Sequence, residues 1–249
     1  MAIDKVYCLE QLTPAQQICL NWVPDESRVL EFGCATGLVT RILRDEKGCT
    51  VTGFEYSSRA AEQAAPYCEQ IVVGDIENAE NWAALHPPYD VVLFGDVLEH
   101  LSQPGVVLKL SSTLLCGNGQ ALISVPNVAH YTVRRALLFG HFDYSQYGIM
   151  DDTHLRFFTE KTLRQMISGA GFEVEEMQAT KLAYKGDRFC ERIGAGWLKQ
   201  HMNALVDRCF PSAIAWQWVA RCALPLRPVE ATGSTMFTPH KTIAEETRD

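Results

Sequence analysis

Short apolar runs alternate with amphipathic segments along the first 180 residues of the chain. These runs predict five strands, at residues 29–32, 50–54, 71–76, 89–94 and 121–127, and the segments between them predict helices at 38–43 and near 57–68, 78–85 and 103–115. Nearly continuous apolar strands that alternate with helices are typical of a parallel sheet covered on both faces. Further along, the pattern predicts a helix over 160–170, a sixth strand at 172–177 and a seventh at 214–220.

The most specific motif is a glycine-rich turn directly after the first predicted strand. Residues 31–37 read Glu-Phe-Gly-Cys-Ala-Thr-Gly, and a helical pattern begins at Leu38. Small residues let the backbone approach a ligand closely, and the free N–H groups of a helix N-terminus point towards it. The dinucleotide-binding fingerprint needs a third glycine where this chain has Leu38. We therefore expect a nucleotide-like cofactor that is not a dinucleotide.

Acidic residues follow three more of the predicted strands. Glu55 lies at the end of the second strand and Asp75 at the end of the third, and Gly95 and Asp96 follow the fourth. Open α/β sheets bind ligands at the carboxyl ends of their strands, and an acid about twenty residues beyond the turn can accept hydrogen bonds from ribose hydroxyls. Any one of these acids could be a helix cap or a surface carboxylate, but together they favour one binding site.

The motif Glu-x-Gly-x-Ala-x-Gly, with the acids that follow it, resembles class I S-adenosylmethionine (SAM) methyltransferases. The resemblance implies an α/β, Rossmann-like, seven-stranded, mostly parallel sheet with strand 7 antiparallel, helices on both faces and a helical or loop cap over the acceptor site. SAM would lie with its methionine half at the turn and its adenine amino group near the acid after strand 3. The expected cofactor contacts are Glu31, Gly33, Cys34, Ala35, Gly37, Glu55, Tyr56, Asp75, Ile76 and Asp96.

Two later segments carry side chains that could activate an acceptor. Residues 96–100 read Asp-Val-Leu-Glu-His, and His154 lies shortly before a later predicted helix. Positions three and four apart share one face of a helix, so Asp96, Glu99 and His100 are expected to converge. A hydroxyl acceptor must lose its proton, which calls for a general base or a metal ion.

These two segments are similar to those of ubiquinone-pathway and small-RNA O-methyltransferases, in which an acid-x-x-Glu-His group and a downstream histidine can hold a divalent metal. The resemblance implies Mg²⁺, Mn²⁺ or Zn²⁺ at four residues, Asp96, Glu99, His100 and His154, although an aspartate stands where those families often have glutamate. One alternative is metal-free catalysis with His100 or His154 as the base. The other is a structural role, in which His100 caps its helix and Asp151 or Asp152 pairs with Arg156.

The acceptor is less well determined than the cofactor. Through residues 96–101, 125–131 and 151–159 the chain resembles, over about residues 25–225, bacterial SAM methyltransferases of glycan and natural-product pathways. In methyltransferases a proline-containing turn after strand 5 commonly borders the acceptor. The aromatic, aperiodic loop 141–148 is expected to belong to the same cap, because long loops above a sheet edge carry specificity. The expected substrate contacts are Asn127, His130, Tyr131, Tyr144, Tyr147 and Arg156.

The leading hypothesis is therefore O-methylation of a small molecule, such as a sugar, a carboxylate or a natural-product hydroxyl. The alternatives are C- or N-methylation of a biosynthetic intermediate and a non-catalytic SAM-binding partner protein. The Asn/Asp-Pro-Pro-Tyr/Phe motif of nucleobase and glutamine N-methylation is absent after strand 4, where residues 95–98 read Gly-Asp-Val-Leu.

Composition narrows the partners and the organisation. A net charge of −8 and a pI near 5.4 argue against a nucleic-acid partner, and no segment is long and apolar enough to suggest a membrane span. Nine scattered cysteines without an apolar leader indicate a cytoplasmic protein, and a homodimer stays an open expectation. We expect a single domain over 1–228, with a cap insertion at about 128–158, a helical insertion at about 185–210 and a polar tail at 229–249.

Overall fold

The computed structural model describes residues 11–181 and 211–225, which are built around one seven-stranded sheet. The spatial order of the strands is β3-β2-β1-β4-β5-β7-β6. Pairs from β3 to β5 are parallel, whereas β7 is antiparallel to both β5 and β6, so the predicted fold class is confirmed. The strands are β1 (Arg28–Phe32), β2 (Thr50–Glu55), β3 (Gln70–Val73), β4 (Tyr89–Gly95), β5 (Leu115–Pro126), β6 (Glu173–Ala179) and β7 (Gln217–Ala223).

Helices connect the strands, and local sequence signals explain where several of them begin. The Thr13 hydroxyl accepts a hydrogen bond from the Gln16 N–H at 3.2 Å, and the Gln16 side chain accepts one from the Thr13 N–H at 2.9 Å, which is a capping box. The α-helices are α1 (Pro14–Trp22), α2 (Leu38–Lys47), α3 (Ser58–Ala64), α4 (Pro104–Ser111), α5 (Tyr131–Leu138), α6 (Glu160–Gly169) and α7 (Pro211–Ile214). Single 3₁₀ segments lie at Ala65–Tyr67, Ala79–Ala84, Leu98–His100 and Ser112–Leu114.

The hydrophobic core lies on both faces of the sheet. The four residues from Val29 to Phe32 in β1 are all buried, as expected for a central parallel strand. One face packs against α6 through Leu163 and Ile167, and the other packs against α1 and α2 through Leu20 and Leu43. Each such leucine stabilises the fold by about 1.5–3 kcal/mol through burial. The sheet is therefore a rigid base for the loops at its edge.

The strand order reverses between β1 and β4, and this reversal positions the site. The carboxyl ends of three adjacent strands lie side by side, with the Phe32 ring 5.4 Å from that of Phe54 and 4.8 Å from that of Phe94. The loops that follow these strands therefore meet at one edge of the sheet. Such a switch point is where open α/β sheets bind their ligands.

The prediction for strand 7 was wrong in its position. Residues 214–220 were expected to form it, but Pro211–Ile214 is a short helix and β7 begins at Gln217. Strand β3 ends at Val73, earlier than expected. The predicted insertion at 185–210 and the tail at 229–249 lie outside the described residues.

No helix among residues 11–181 and 211–225 has the length and hydrophobicity needed to cross a bilayer. The extent of the domain, a cytoplasmic location and a homodimer stay predictions from the sequence.

Candidate active site

The glycine-rich turn after β1 adopts backbone conformations that few side chains tolerate. The φ angle is +68° at Gly33, +47° at Ala35 and +81° at Gly37. A Cβ added at Gly33 would lie 2.6 Å from Val97 Cγ2, and one at Gly37 would lie 2.8 Å from the Cα of Ala64. Packing and backbone conformation thus both require glycine at these two positions.

Glu55, at the end of β2, holds this turn in place. One carboxylate oxygen accepts the Ala35 N–H at 2.8 Å, and the other accepts the Ser57 N–H at 2.9 Å. Each oxygen has a further lone pair for a ligand donor. Glu55 can therefore fix the turn and accept ligand hydroxyls at the same time.

A cavity of about 410 Å³ opens along the carboxyl edge of the sheet. Its volume falls within the usual range for small-molecule sites. It brings together most of the predicted cofactor residues, namely Gly33, Ala35, Glu55, Tyr56, Asp75, Ile76 and Asp96. His100, Thr153 and Leu155 line the same cavity, so it reaches from the glycine-rich turn to the predicted catalytic segments.

A second, narrow cavity of about 50 Å³ lies beneath the turn. Glu31 and Cys34 line it, together with residues of α1. The Thr40 hydroxyl donates to a Glu31 carboxyl oxygen at 2.6 Å, while burial raises the pKa of Glu31 to about 8. Gly37 lines neither cavity, and its role in the structure is close packing against α3.

The structure does not bring Asp96 into the predicted metal group. Its φ angle is +55°, outside the helical range that the prediction assumed. One carboxylate oxygen accepts the Ser124 hydroxyl at 2.8 Å, and both accept the Gln217 amide at 2.9 Å. Asp96 therefore ties β4 to β5 and β7, while it also lines the larger cavity.

The other three residues of that predicted group do come together. Glu99, His100 and His154 each offer one potential ligand atom, and these three atoms lie within 4.8 Å of one another. The Glu99 side chain is 1% exposed, and neither of its oxygens has a hydrogen-bond partner among the described residues. Burial, and then the charge of Asp96, raises the pKa of Glu99 well above its usual value.

Two hydrogen bonds orient the histidines. Nδ1 of His154 lies 3.0 Å from the carbonyl oxygen of Ile149, which can only accept, so Nδ1 carries the proton and Nε2 keeps its lone pair. Nδ1 of His100 faces the hydroxyl and the carbonyl of Thr153, at 3.0 and 3.3 Å. The two imidazole rings make an edge contact with centroids 4.9 Å apart.

Two of the predicted substrate residues have structural partners. The Asn127 amide donates to the carbonyls of Ser212 and Ala215, both at 2.7 Å, and its oxygen accepts the Ala129 N–H. His130 is 4% exposed and caps α5. Both side chains hold the base of the cap together, so the structure gives them a role that needs no acceptor.

The remaining predicted substrate residues differ in their placement. The Arg156 guanidinium donates to the Ser102 carbonyl, so it attaches its segment to the loop before α4. Tyr131 packs on the ring of His130, with centroids 4.5 Å apart, and Tyr147 is 70% exposed. None of these side chains lines the larger cavity.

Tyr144 belongs to an aromatic cluster that approaches the catalytic segments. Its ring lies 5.7 Å from that of Phe142 and 6.4 Å from that of Phe157, and Phe157 lies 6.3 Å from His154. The sequence reasoning did not single out either phenylalanine. The available signal was the aromatic density of the cap and its proximity in sequence to His154.

Comparisons with known proteins identify the family of this chain. Residues 11–177 match the family described as "Methyltransferase domain". The ubiquinone biosynthesis O-methyltransferase of Aeromonas salmonicida is 27% identical over 191 residues, which cover 73% of this chain and 79% of that protein.

Solved structures show the same fold at lower identity. A Haloferax volcanii complex of the Trm112 methyltransferase activator with a protein described as a methyltransferase matches with a TM-score of 0.58 and 17% identity, over 85% of this chain and 89% of that one. The N-methyltransferase NodS of Bradyrhizobium japonicum, solved with S-adenosylhomocysteine, matches with a TM-score of 0.52 and 16% identity, over 85% and 84%. With its glycine-rich turn, acidic strand ends and sheet topology, this chain belongs to the methyltransferase-domain family of SAM-dependent enzymes.

Proposed function

We propose that this protein methylates a hydroxyl group of a small molecule, and that Glu99, His100 and His154 hold a divalent cation beside that hydroxyl. The observation that carries the proposal is the Glu99 carboxylate, which is buried without a hydrogen-bond partner among the described residues. An ionised carboxylate in such a place costs several kcal/mol unless a counter-charge meets it. A cation between this carboxylate and two imidazoles would supply that charge.

The donor set indicates which ions fit. Two imidazole nitrogens and one carboxylate match three-ligand catalytic sites that keep a position open for substrate. Zn²⁺ or Mn²⁺ suits this set better than Mg²⁺, which prefers oxygen ligands. Asp96 is outside the proposed set, because its oxygens accept from Ser124 and Gln217.

The chain's own residues would mainly hold and align the two substrates. Bound SAM supplies the methyl group, and a divalent cation beside the acceptor lowers the pKa of its hydroxyl. Glu55 and Asp75, which line the same cavity as His100, would accept hydrogen bonds from the nucleoside. Because His100 lines that cavity, an acceptor oxygen held near it would face the donor, and alignment is the main demand of this reaction.

The acceptor would lie against Phe142, Tyr144 and Phe157. Their rings form a wall that continues from His154 towards the surface. Aromatic faces bind the apolar face of a flat ring or of a sugar. The name of the Aeromonas salmonicida relative supports oxygen as the acceptor atom.

A mass-spectrometric screen of hydroxylated small molecules, with SAM as donor, tests the activity. Excess EDTA is expected to abolish methylation, and added Zn²⁺ or Mn²⁺ to restore it. Glu99→Gln is expected to lower turnover by roughly 100-fold while SAM binding by calorimetry is retained. The matched control is Asp152→Asn, an exposed acid of the same region that lies outside the group.

Full turnover in excess EDTA would exclude the metal and leave His100 or His154 as a base. An absence of SAM binding would favour a non-catalytic protein.

A further inference from the structure

We infer that Thr153 and Asp151 are positioning residues that determine which ring nitrogen of His100 carries the proton. The Thr153 hydroxyl lies 2.6 Å from a carboxylate oxygen of Asp151 and 3.0 Å from Nδ1 of His100. The carbonyl oxygen of Thr153 is 3.3 Å from the same nitrogen. The role of this arrangement in preparing His100 as a ligand or a base rests on the proposed function, but the hydrogen bonds themselves do not require a bound ion.

The chemistry of these groups fixes the direction of each hydrogen bond. A carboxylate can only accept, so the single hydroxyl proton of Thr153 is donated to Asp151. The hydroxyl oxygen is then left with lone pairs, and it accepts from His100. The Thr153 carbonyl is an acceptor in every state. Two acceptors therefore face Nδ1, which places the proton of the neutral His100 ring on Nδ1.

The consequence is that Nε2 of His100 keeps its lone pair. His154 reaches the same state by a different route, through the carbonyl of Ile149. Both imidazoles are thus prepared to donate electron pairs from Nε2, as ligands or as bases. Outer hydrogen bonds of this kind orient a ligating histidine and raise its basicity.

Backbone hydrogen bonds hold the chain of hydrogen bonds from Asp151 through Thr153 to His100, here called the relay, in position. The side chains of Asp151 and Thr153 are buried, and Asp151 accepts the Thr153 N–H at 2.9 Å, which forms a local turn. The N–H groups of Leu155 and Arg156 donate to the Glu99 carbonyl at 2.8 and 2.9 Å. The segment that carries the relay is therefore attached to the turn that carries Glu99 and His100.

The test compares Thr153→Val, which removes the hydroxyl and nearly preserves the shape, with Thr153→Ser, which keeps it. Nitrogen-15 NMR of the ring nitrogens of His100 is recorded on the metal-free full chain, at a pH where imidazole is neutral. We expect the Nδ1–H form in the wild-type protein and in Thr153→Ser. In Thr153→Val only the carbonyl still faces Nδ1, so we expect a smaller fraction of the Nδ1–H form and a larger fraction of Nε2–H. Zn²⁺ affinity, measured by calorimetry, is expected to fall about 10- to 100-fold in Thr153→Val and to recover in Thr153→Ser.

An Nε2–H ring in the wild-type protein, or a Thr153→Val variant with unchanged tautomer and Zn²⁺ affinity, would overturn the inference. The proposed function can fail separately. If the wild-type His100 is Nδ1–H and responds to Thr153→Val, yet the protein binds no Zn²⁺ and methylates fully in EDTA, the relay stands and the metal does not. Should Thr153→Val fail to fold, Thr153→Ala is expected to show the same tautomer shift, and an unshifted tautomer in that variant overturns the inference.

Discussion

Glu31 is an acid in the hydrophobic interior, where β1 meets the glycine-rich turn. It is 5% exposed, and the Thr40 hydroxyl donates to it at 2.6 Å. Burial raises its pKa from 4.5 to about 8, and the hydroxyl opposes that rise. Between these two pH values the folded protein holds a proton that the unfolded chain releases.

The first prediction follows from the sign of this difference. Where the folded state binds more protons, the free energy of unfolding falls as pH rises, so stability is lost between about pH 4.5 and 8 and then levels off. Glu31→Gln removes the titrating group, so the free energy of unfolding of this variant is expected to change less with pH. In the wild-type protein Glu31 contributes a limiting slope of about 1.4 kcal/mol per pH unit. Urea denaturation of both proteins across this range measures the difference. Parallel pH profiles would contradict the raised pKa.

The structure brings together three of the four residues of the predicted metal group, whereas the fourth, Asp96, has other partners. The convergence of Glu99 and His100 with His154 was expected, and the structure brings these three together. Asp96 was expected to join them because a regular helical turn was assumed. Its φ is positive instead, and its carboxylate accepts a hydrogen bond from Gln217, 121 residues away. A hydrogen bond between residues so far apart in sequence cannot be predicted from the local sequence pattern.

At the scale of elements, α2 and α3 approach each other closely through Gly37. A Cβ at this position would lie 2.8 Å from the Ala64 Cα and 3.0 Å from the Tyr67 ring, and φ is +81°. We predict that Gly37→Ala lowers the free energy of unfolding by about 2–4 kcal/mol, from backbone strain and overpacking together.

Gly105→Ala is the matched control for this prediction. Gly105 lies in α4, where an added Cβ would be 3.6 Å from Met166 Cγ, an ordinary van der Waals contact. Alanine there is therefore expected to be neutral or stabilising by up to about 1 kcal/mol. Chemical denaturation of the two variants measures both effects. Equal stability of Gly37→Ala and the wild-type protein would show that α2 and α3 can separate at little cost.

The position of β7 shows the limit of element prediction. An apolar run such as residues 213–220 has no periodicity that separates helix from strand. In the structure the amide of Asn127 binds the carbonyls of Ser212 and Ala215, and the Trp216 N–H donates to the Thr180 carbonyl. The start of β7 is therefore fixed by partners in the residues that directly follow β5 and β6. The existence and direction of the strand could be predicted, but its boundary could not.

At the scale of the whole molecule, the carboxyl edge of the sheet joins segments that are far apart in sequence. Each of the segments 33–35, 55–56, 74–77, 96–101 and 153–155 contributes residues to one cavity. They follow four different strands and a late loop, so a ligand in the cavity would contact both halves of the sheet at once. Ligand binding is then coupled to the stability of the whole domain rather than to one loop.

The last prediction tests this coupling by amide hydrogen exchange. SAM at about 100 times its dissociation constant should stabilise the folded protein by about 2.7 kcal/mol. We expect slower exchange in the segments at 33–35, 55–56, 74–77 and 96–101 together, because one molecule in the cavity restrains them all. The exposed cap loop at 141–148 should exchange at the same rate with and without SAM, because no acceptor is present to cover it. Protection confined to the glycine-rich turn would instead indicate that the donor contacts only the β1 side of the edge.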